Sequence, residues 1–171
     1  MKTEIIYGIH PVFEAMQAKR RTFHELFIAK DKANQRIEPI VEFAQSAGIP
    51  VSYLARQKLQ SLTGIDTNQG VAAKVSPYPT LDLSDLISDE NFAAGSNFFL
   101  LIDNIVDPHN LVALLRTALC ATLSGVIIPK DRSAEPSPTV SKSSAGALEH
   151  IRLASVVNMV NAINELKKIT Y

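Results

Sequence analysis

The chain has 171 residues, enough for one ordinary domain or two small ones. Its 46% hydrophobic and 20% charged residues suffice to bury a core, which excludes a disordered or collagen-like chain. Seventeen basic residues balance seventeen acidic ones, so any RNA contact must come from local patches such as Lys19-Arg20-Arg21 or Lys30, Lys32 and Arg36.

Glu4 to Ile9 is a short β-type run, and Pro11 then opens a helical pattern through Val12, Phe13, Ala15 and Met16. Phe23 to Ala29 reads as a strand. From Ala33 to Ala47 the apolar positions Ile37, Ile40, Val41 and Ala44 recur at helical spacing, with Gly48 as the stop. Pro50 to Leu54 predicts a strand, Gln57 to Leu62 a short helix and Gly70 to Val75 a further strand. Residues 77–96, rich in Pro, Ser, Asp and Glu, read as a linker with a weak helix at Leu81 to Ile87.

The second half repeats the grammar. Asn97 to Asp103 is a buried-type strand, Asp107 to Ala121 a helix, Gly125 to Ile128 a strand and Asp131 to Ser137 a loop. Pro138 to Leu148 predicts a helix rich in small residues, Ile151 to Val156 a third strand and Val157 to Lys168 a third helix. Alternation of this kind implies an α/β protein whose second half holds a parallel sheet. Ligands of such sheets bind beyond the carboxyl ends of the strands, here Asp103 to Asn110, Pro129 to Ser137 and Ser155 to Asn158.

Cys120 is the only cysteine, so an internal disulfide is excluded and a reducing compartment is expected. Its neighbours Leu119 and Ala121 predict a buried thiol. No apolar run reaches membrane-span length, and Met1-Lys2 leads straight into a strand-like pattern without a signal peptide. A soluble, cytoplasmic protein without a metal is expected.

Asp107-Pro108 is a good helix start, Asp as cap and Pro in the first turn, although Asn110 is a second candidate for the cap. On that reading Arg116 decorates a polar helix face. The alternative is that Asn110 and Arg116 both serve the strand-end crevice, Asn110 from the loop and the long Arg116 side chain reaching back. Six residues span about 1.7 turns, which allows this without requiring it.

The stretches DNIVDPHNLVALLRTA (Asp103 to Ala118) and GVIIPKDRSAEPSPTVSKSSAGALEHIRLA (Gly125 to Ala154) resemble the SpoU/TrmH family of SPOUT RNA ribose 2′-O-methyltransferases. IYGIHPVFEAM (Ile6 to Met16) and NQGVAAKV (Asn68 to Val75) resemble the accessory domain of the same proteins. The resemblance implies a small ribosomal-protein-like α/β substrate-binding domain over 1–76, the linker 77–96, and the front of a parallel-sheet SPOUT knot domain over 97–171. It also implies transfer of a methyl group from S-adenosylmethionine to a ribose 2′-hydroxyl, of a guanosine in large-subunit (23S) ribosomal RNA, by a homodimeric enzyme.

On this resemblance Arg116 matches the catalytic arginine. A guanidinium stays protonated, so its role is to bind and polarise the 2′-hydroxyl and to stabilise developing alkoxide charge rather than to act as a base. Asn110 matches the asparagine that positions arginine and substrate. Lys130, Arg132 and Ser133 are candidate contacts to RNA phosphate, against the reading of a solvated turn. Lys142, Ser144 and Gly146 lie in a segment suited to close approach of RNA, cofactor or partner, or simply to tight helix packing.

Four positions depart from the family pattern: Val112 stands for a glycine, Thr122-Leu123 for Gly-Val, Asn68 for a histidine and Ser141 for a basic residue. Thr122 is expected to lose a left-handed helix cap. Relatives also continue past the position of Tyr171 with the segments that build the knot, the cofactor pocket and most of the dimer interface. The expectation is therefore a truncated chain without a cofactor site of its own, inactive alone. A non-catalytic RNA-binding module is the alternative. A dinucleotide-binding enzyme fits the strand-helix rhythm, but no G-x-G-x-x-G follows Asp103.

Overall fold

In the computed structural model, which describes residues 2–31, 35–88 and 98–169, the chain divides into two compact units. The first comprises residues 1–78 and 137–150, the second residues 79–136 and 151–171. Lys32, named in a candidate basic patch, lies outside the described residues.

The first unit is built on a four-stranded mixed sheet of β1 (Glu4–Tyr7), β2 (Phe23–Ala29), β3 (Val51–Leu54) and β4 (Val71–Val75), in the order β1-β4-β2-β3. β4 runs antiparallel to both neighbours, and β2 pairs with β3 in parallel. Strand residues alternate between faces. Ile6, Leu26, Ile28 and Ala73 pack with Val12, Met16 and Ile40 of helices α1 (Ile9–Ala18) and α2 (Glu38–Ser46). Tyr7, Phe27, Ala29 and Ala72 point the other way and pack with Leu59 of α3 (Arg56–Thr63). Both faces are covered, which is why β2 reads as continuously apolar over Leu26 to Ala29. Each fully buried aliphatic side chain contributes about 1.5–3 kcal/mol.

Helix α1 starts two residues before the expected Pro11, because Gly8 turns the chain at φ 97 and ends β1 at Tyr7. Helix α2 starts at Glu38 with Pro39 in its first turn, later than the expected Ala33, which is outside the described residues. Gly48 ends it as expected, at φ 68, with Ile49 N donating to Ala44 O.

The segment expected as one helix over Pro138 to Leu148 is two, α6 (Pro138–Ser143) and α7 (Ala147–His150). Ala145 and Gly146, at φ 54 and 89, break it. Gly146 lies against Glu14 of α1, where an added Cβ would stand 2.6 Å from the Glu14 Cβ and Cγ. Both helices belong to the first unit, although the sequence reading assigned them to the C-terminal half.

The second unit holds the expected parallel sheet, β5 (Phe99–Leu101), β6 (Gly125–Pro129) and β7 (Leu153–Val156), in the order β5-β6-β7. Its helices are α4 (Leu83–Ile87), α5 (Pro108–Cys120) and α8 (Met159–Ile169). The described part of the expected linker is not a free tether. Tyr78 is buried in the first unit, and Leu81 bridges to Ala154 on the outer side of β7. Leu83 and Leu86 join Ile127, Ala154, Val156 and Ala162 in one core. Residues 89–97 lie outside the described residues.

The close of α5 corrects a second expectation. Thr122 takes the left-handed conformation itself, at φ 52, with Leu123 N donating to Ala118 O and Thr122 N to Leu119 O. The cap is kept, on a β-branched residue. Cys120 is exposed, not buried. No helix of the described residues is long and apolar enough to cross a membrane.

Candidate functional site

The sequence places the start of α5 at the carboxyl end of β5, and Asp107 settles which residue caps it. Its side chain accepts from His109 N at 2.9 Å, which leaves Asn110 inside the first turn with its amide uncommitted. Asn110 and Arg116 are both exposed, and neither side chain has a hydrogen-bond partner among the described residues. The opposite face of α5 buries Leu111, Val112, Leu115 and Ala118. Val112, in place of a family glycine, therefore faces the core.

A second loop reaches the same end of the sheet. Lys130 N donates to Val156 O at 2.8 Å, prolonging the β6–β7 pairing, while its side chain is exposed. Arg132 is exposed and sits at φ 56. Two residues on, Ala134 N donates to Ile105 O at 2.7 Å and ties this loop to the one that follows β5. Between them the Ser133 hydroxyl is buried without a hydrogen-bond partner. A buried hydroxyl without a partner is costly, and a water, an ion or a polar ligand atom can complete it. Asn110, Lys130, Arg132 and Ser133 thus all lie on loops or helix turns at the strand ends of the second unit.

Lys142 belongs to the first unit, where its Nζ donates to Gln69 Oε1 at 2.8 Å. The same oxygen accepts from Ile9 N at 3.0 Å and so serves the otherwise uncapped start of α1. Burial lowers the Lys142 pKa. Gly8 lies directly against this ammonium, and an added Cβ would clash with Nζ. Asn68, in place of a family histidine, is buried; its Oδ1 accepts from Gly70 N and its amide donates to Thr63 Oγ1 and Ile65 O.

Of the basic patch Lys19-Arg20-Arg21, Lys19 is exposed, Arg20 half-buried and Arg21 buried. Arg21 is buried and donates to Glu149 through Nε at 2.7 Å and to Glu4 at 2.7 Å. Ser141, where a basic residue is common in the family, gives its hydroxyl to Glu149 at 2.6 Å. A second cation there would face Arg21. Arg20 lies over the Tyr78 ring at 5.3 Å and donates to its hydroxyl. Burial pushes the Tyr78 pKa up to about 12, against the pull of Arg20. Sequence reasoning missed this cluster because Arg21 lies 17 residues from Glu4 and 128 from Glu149.

A mixed sheet with helices on both faces, joined in one chain to a parallel sheet with cations and amides at its strand ends, defines a two-module α/β protein of the kind that binds ligands beyond strand termini. The SpoU rRNA methylase family model matches residues 97–171, and the model for RNA 2′-O ribose methyltransferase substrate binding matches residues 5–81. The chain is 36% identical to the 23S rRNA (guanosine-2′-O-)-methyltransferase RlmB of Acinetobacter baylyi over 97% of its own length and 66% of the relative's. The Escherichia coli RlmB is also 36% identical, with 68% of its length covered. The SpoU methyltransferase AviRb of Streptomyces viridochromogenes, solved with AdoMet, has the same fold at a TM-score of 0.74 and 19% identity, over 96% of this chain and 59% of that one. The chain belongs to the SpoU family of RNA methylases. The chain spans about two thirds of the length of the curated relatives it matches.

Proposed function

We propose that the protein is an RNA methyltransferase that transfers a methyl group from S-adenosylmethionine to a ribose 2′-hydroxyl, of a guanosine in 23S ribosomal RNA, in the cytoplasm and as a homodimer. The observation that carries this reading is the pairing of its relatives, named as guanosine-2′-O-methyltransferases, with an exposed, uncommitted Asn110 and Arg116 on the helix that follows the first parallel strand. Residues 1–76 act as the substrate-binding module and residues 97–171 as the methylase module, joined by 77–96.

Arg116, always cationic, binds the 2′-hydroxyl and the neighbouring phosphate and stabilises negative charge on the attacking oxygen. Asn110 orients both by hydrogen bonding. Lys130 and Arg132 neutralise RNA phosphates, and Ser133 offers its orphaned hydroxyl to the backbone beside them. Lys142 gives one ammonium N–H to Gln69 and offers its others to RNA phosphate.

Transfer of tritiated methyl groups to unmodified 23S rRNA, by the protein expressed from its full reading frame, tests the reading. Incorporation confined to one guanosine is expected. RNA binding without any incorporation would establish the non-catalytic RNA-binding module instead.

A further inference from the structure

The first unit carries an open pocket of about 580 Å³ lined by Ile9, His10, Phe13, Glu14, Arg36 and Pro39. Ile9, Phe13 and Pro39 make it largely apolar, and His10 and Arg36 are exposed at its edge. Phe13 is partly buried and packed on the core, which fixes its ring.

Glu14 is held at two points. His150 Nε2 and Glu14 Oε2 are 2.7 Å apart, and Gly146 packs so closely on the Glu14 stem that no Cβ fits between them. Its other oxygen, Oε1, has no hydrogen-bond partner among the described residues. The pocket therefore combines an aromatic ring, an immobilised carboxylate that accepts hydrogen bonds only, and a guanidinium at the rim.

That set fits one nucleobase better than the others. Unpaired RNA bases are recognised by stacking on aromatic rings and by hydrogen bonds along the Watson–Crick edge. Guanine alone presents two adjacent donors there, N1–H and N2–H₂, which match a carboxylate. Adenine and cytosine each set an acceptor beside their donor, and uracil has a single donor between two carbonyls.

We propose that this pocket takes one unpaired guanine of the RNA substrate, stacked on Phe13, with its N1–H and N2–H₂ on Glu14 and an adjacent phosphate on Arg36. The inference rests on the reading of the substrate as RNA. It assigns the first unit a base-selective contact separate from the methylated ribose.

Fluorescence anisotropy with the full chain and three nine-nucleotide single strands tests it: oligouridine with a central guanine, with a central adenine, and without substitution. The guanine strand should bind about tenfold more tightly than the other two. Glu14→Gln, checked for folding by circular dichroism, should abolish that ratio, and Arg36→Ala should weaken the guanine strand several-fold. The readout of Glu14→Gln is a ratio, so a variant that merely loses active protein leaves it unchanged. Equal binding of the three strands, or a guanine preference that survives Glu14→Gln, overturns the pocket while the RNA reading stands. No binding of any strand, nor of a 23S rRNA fragment, overturns both.

Discussion

Arg21 and Glu149 stand 128 residues apart in the chain, yet the Arg21 Nε donates to Glu149 Oε2 at 2.7 Å, and their side chains are 0% and 1% exposed. Glu149 also accepts from Arg21 Nη2 and from the Ser141 hydroxyl. Removing one partner of such a pair leaves an uncompensated buried charge, which costs about 3–5 kcal/mol. Glu149→Ala should lower the stability of the folded protein by that amount in urea denaturation. A loss under 1 kcal/mol would mean that Glu4 alone satisfies Arg21.

Tyr78 gives a pH signature. Burial raises its folded pKa from 10.0 to about 12, so between these values the unfolded chain loses a proton that the folded chain keeps. The stabilisation is complete below pH 10 and is lost as pH rises towards 12, by about 2–3 kcal/mol at most. Tyr78→Phe should be flatter than the parent across that window, measured as the difference in denaturation midpoint. Parallel curves would sink the assignment.

Thr122 carries backbone strain at φ 52 that its hydrogen bonds do not remove. A left-handed L-residue costs about 1–2 kcal/mol, and glycine avoids it. Thr122→Gly should raise the melting temperature, with a gain of about 1 kcal/mol. Unchanged or lower stability would contradict the strain.

Arg116→Ala should reduce methyl transfer at least a hundredfold, the usual loss when a donor to a developing oxyanion is removed. Affinity for S-adenosylmethionine, measured by calorimetry, should stay within about twofold. Arg116→Lys keeps the charge but not the planar fork, and should recover only part of the rate. Full activity in Arg116→Ala excludes the role.

Local structure was readable from the chain wherever a short-range pattern determined it. β2 has its expected bounds, the parallel pairing of β5, β6 and β7 followed from strand-helix alternation, and Asp107 caps α5 as Asp-Pro suggested. What local pattern missed depends on distant contacts. The run Pro138 to Leu148 reads as one helix until Glu14 is seen to need the space at Gly146. Arg21 reads as part of a surface patch until Glu149 arrives to pair with it in the interior. Cys120 misled because two apolar neighbours do not bury a residue on the outer side of an amphipathic helix. Of the candidate site residues, Asn110, Lys130, Arg132 and Ser133 lie at one end of the parallel sheet, and Lys142 belongs to the first unit.

The discontinuity of the first unit, residues 1–78 closed by 137–150, has a consequence for biosynthesis. At about 5–20 residues per second, Glu149 leaves the ribosome roughly 6–25 s after Arg21, a gap set by the 128 residues between them. Throughout that interval the nascent first unit has only Glu4 and the Ser76 carbonyl to hold Arg21 and has no helix over the Gly146-facing side of α1. Its completion waits for the residue that closes it, so the two units cannot mature strictly from the N-terminus onward.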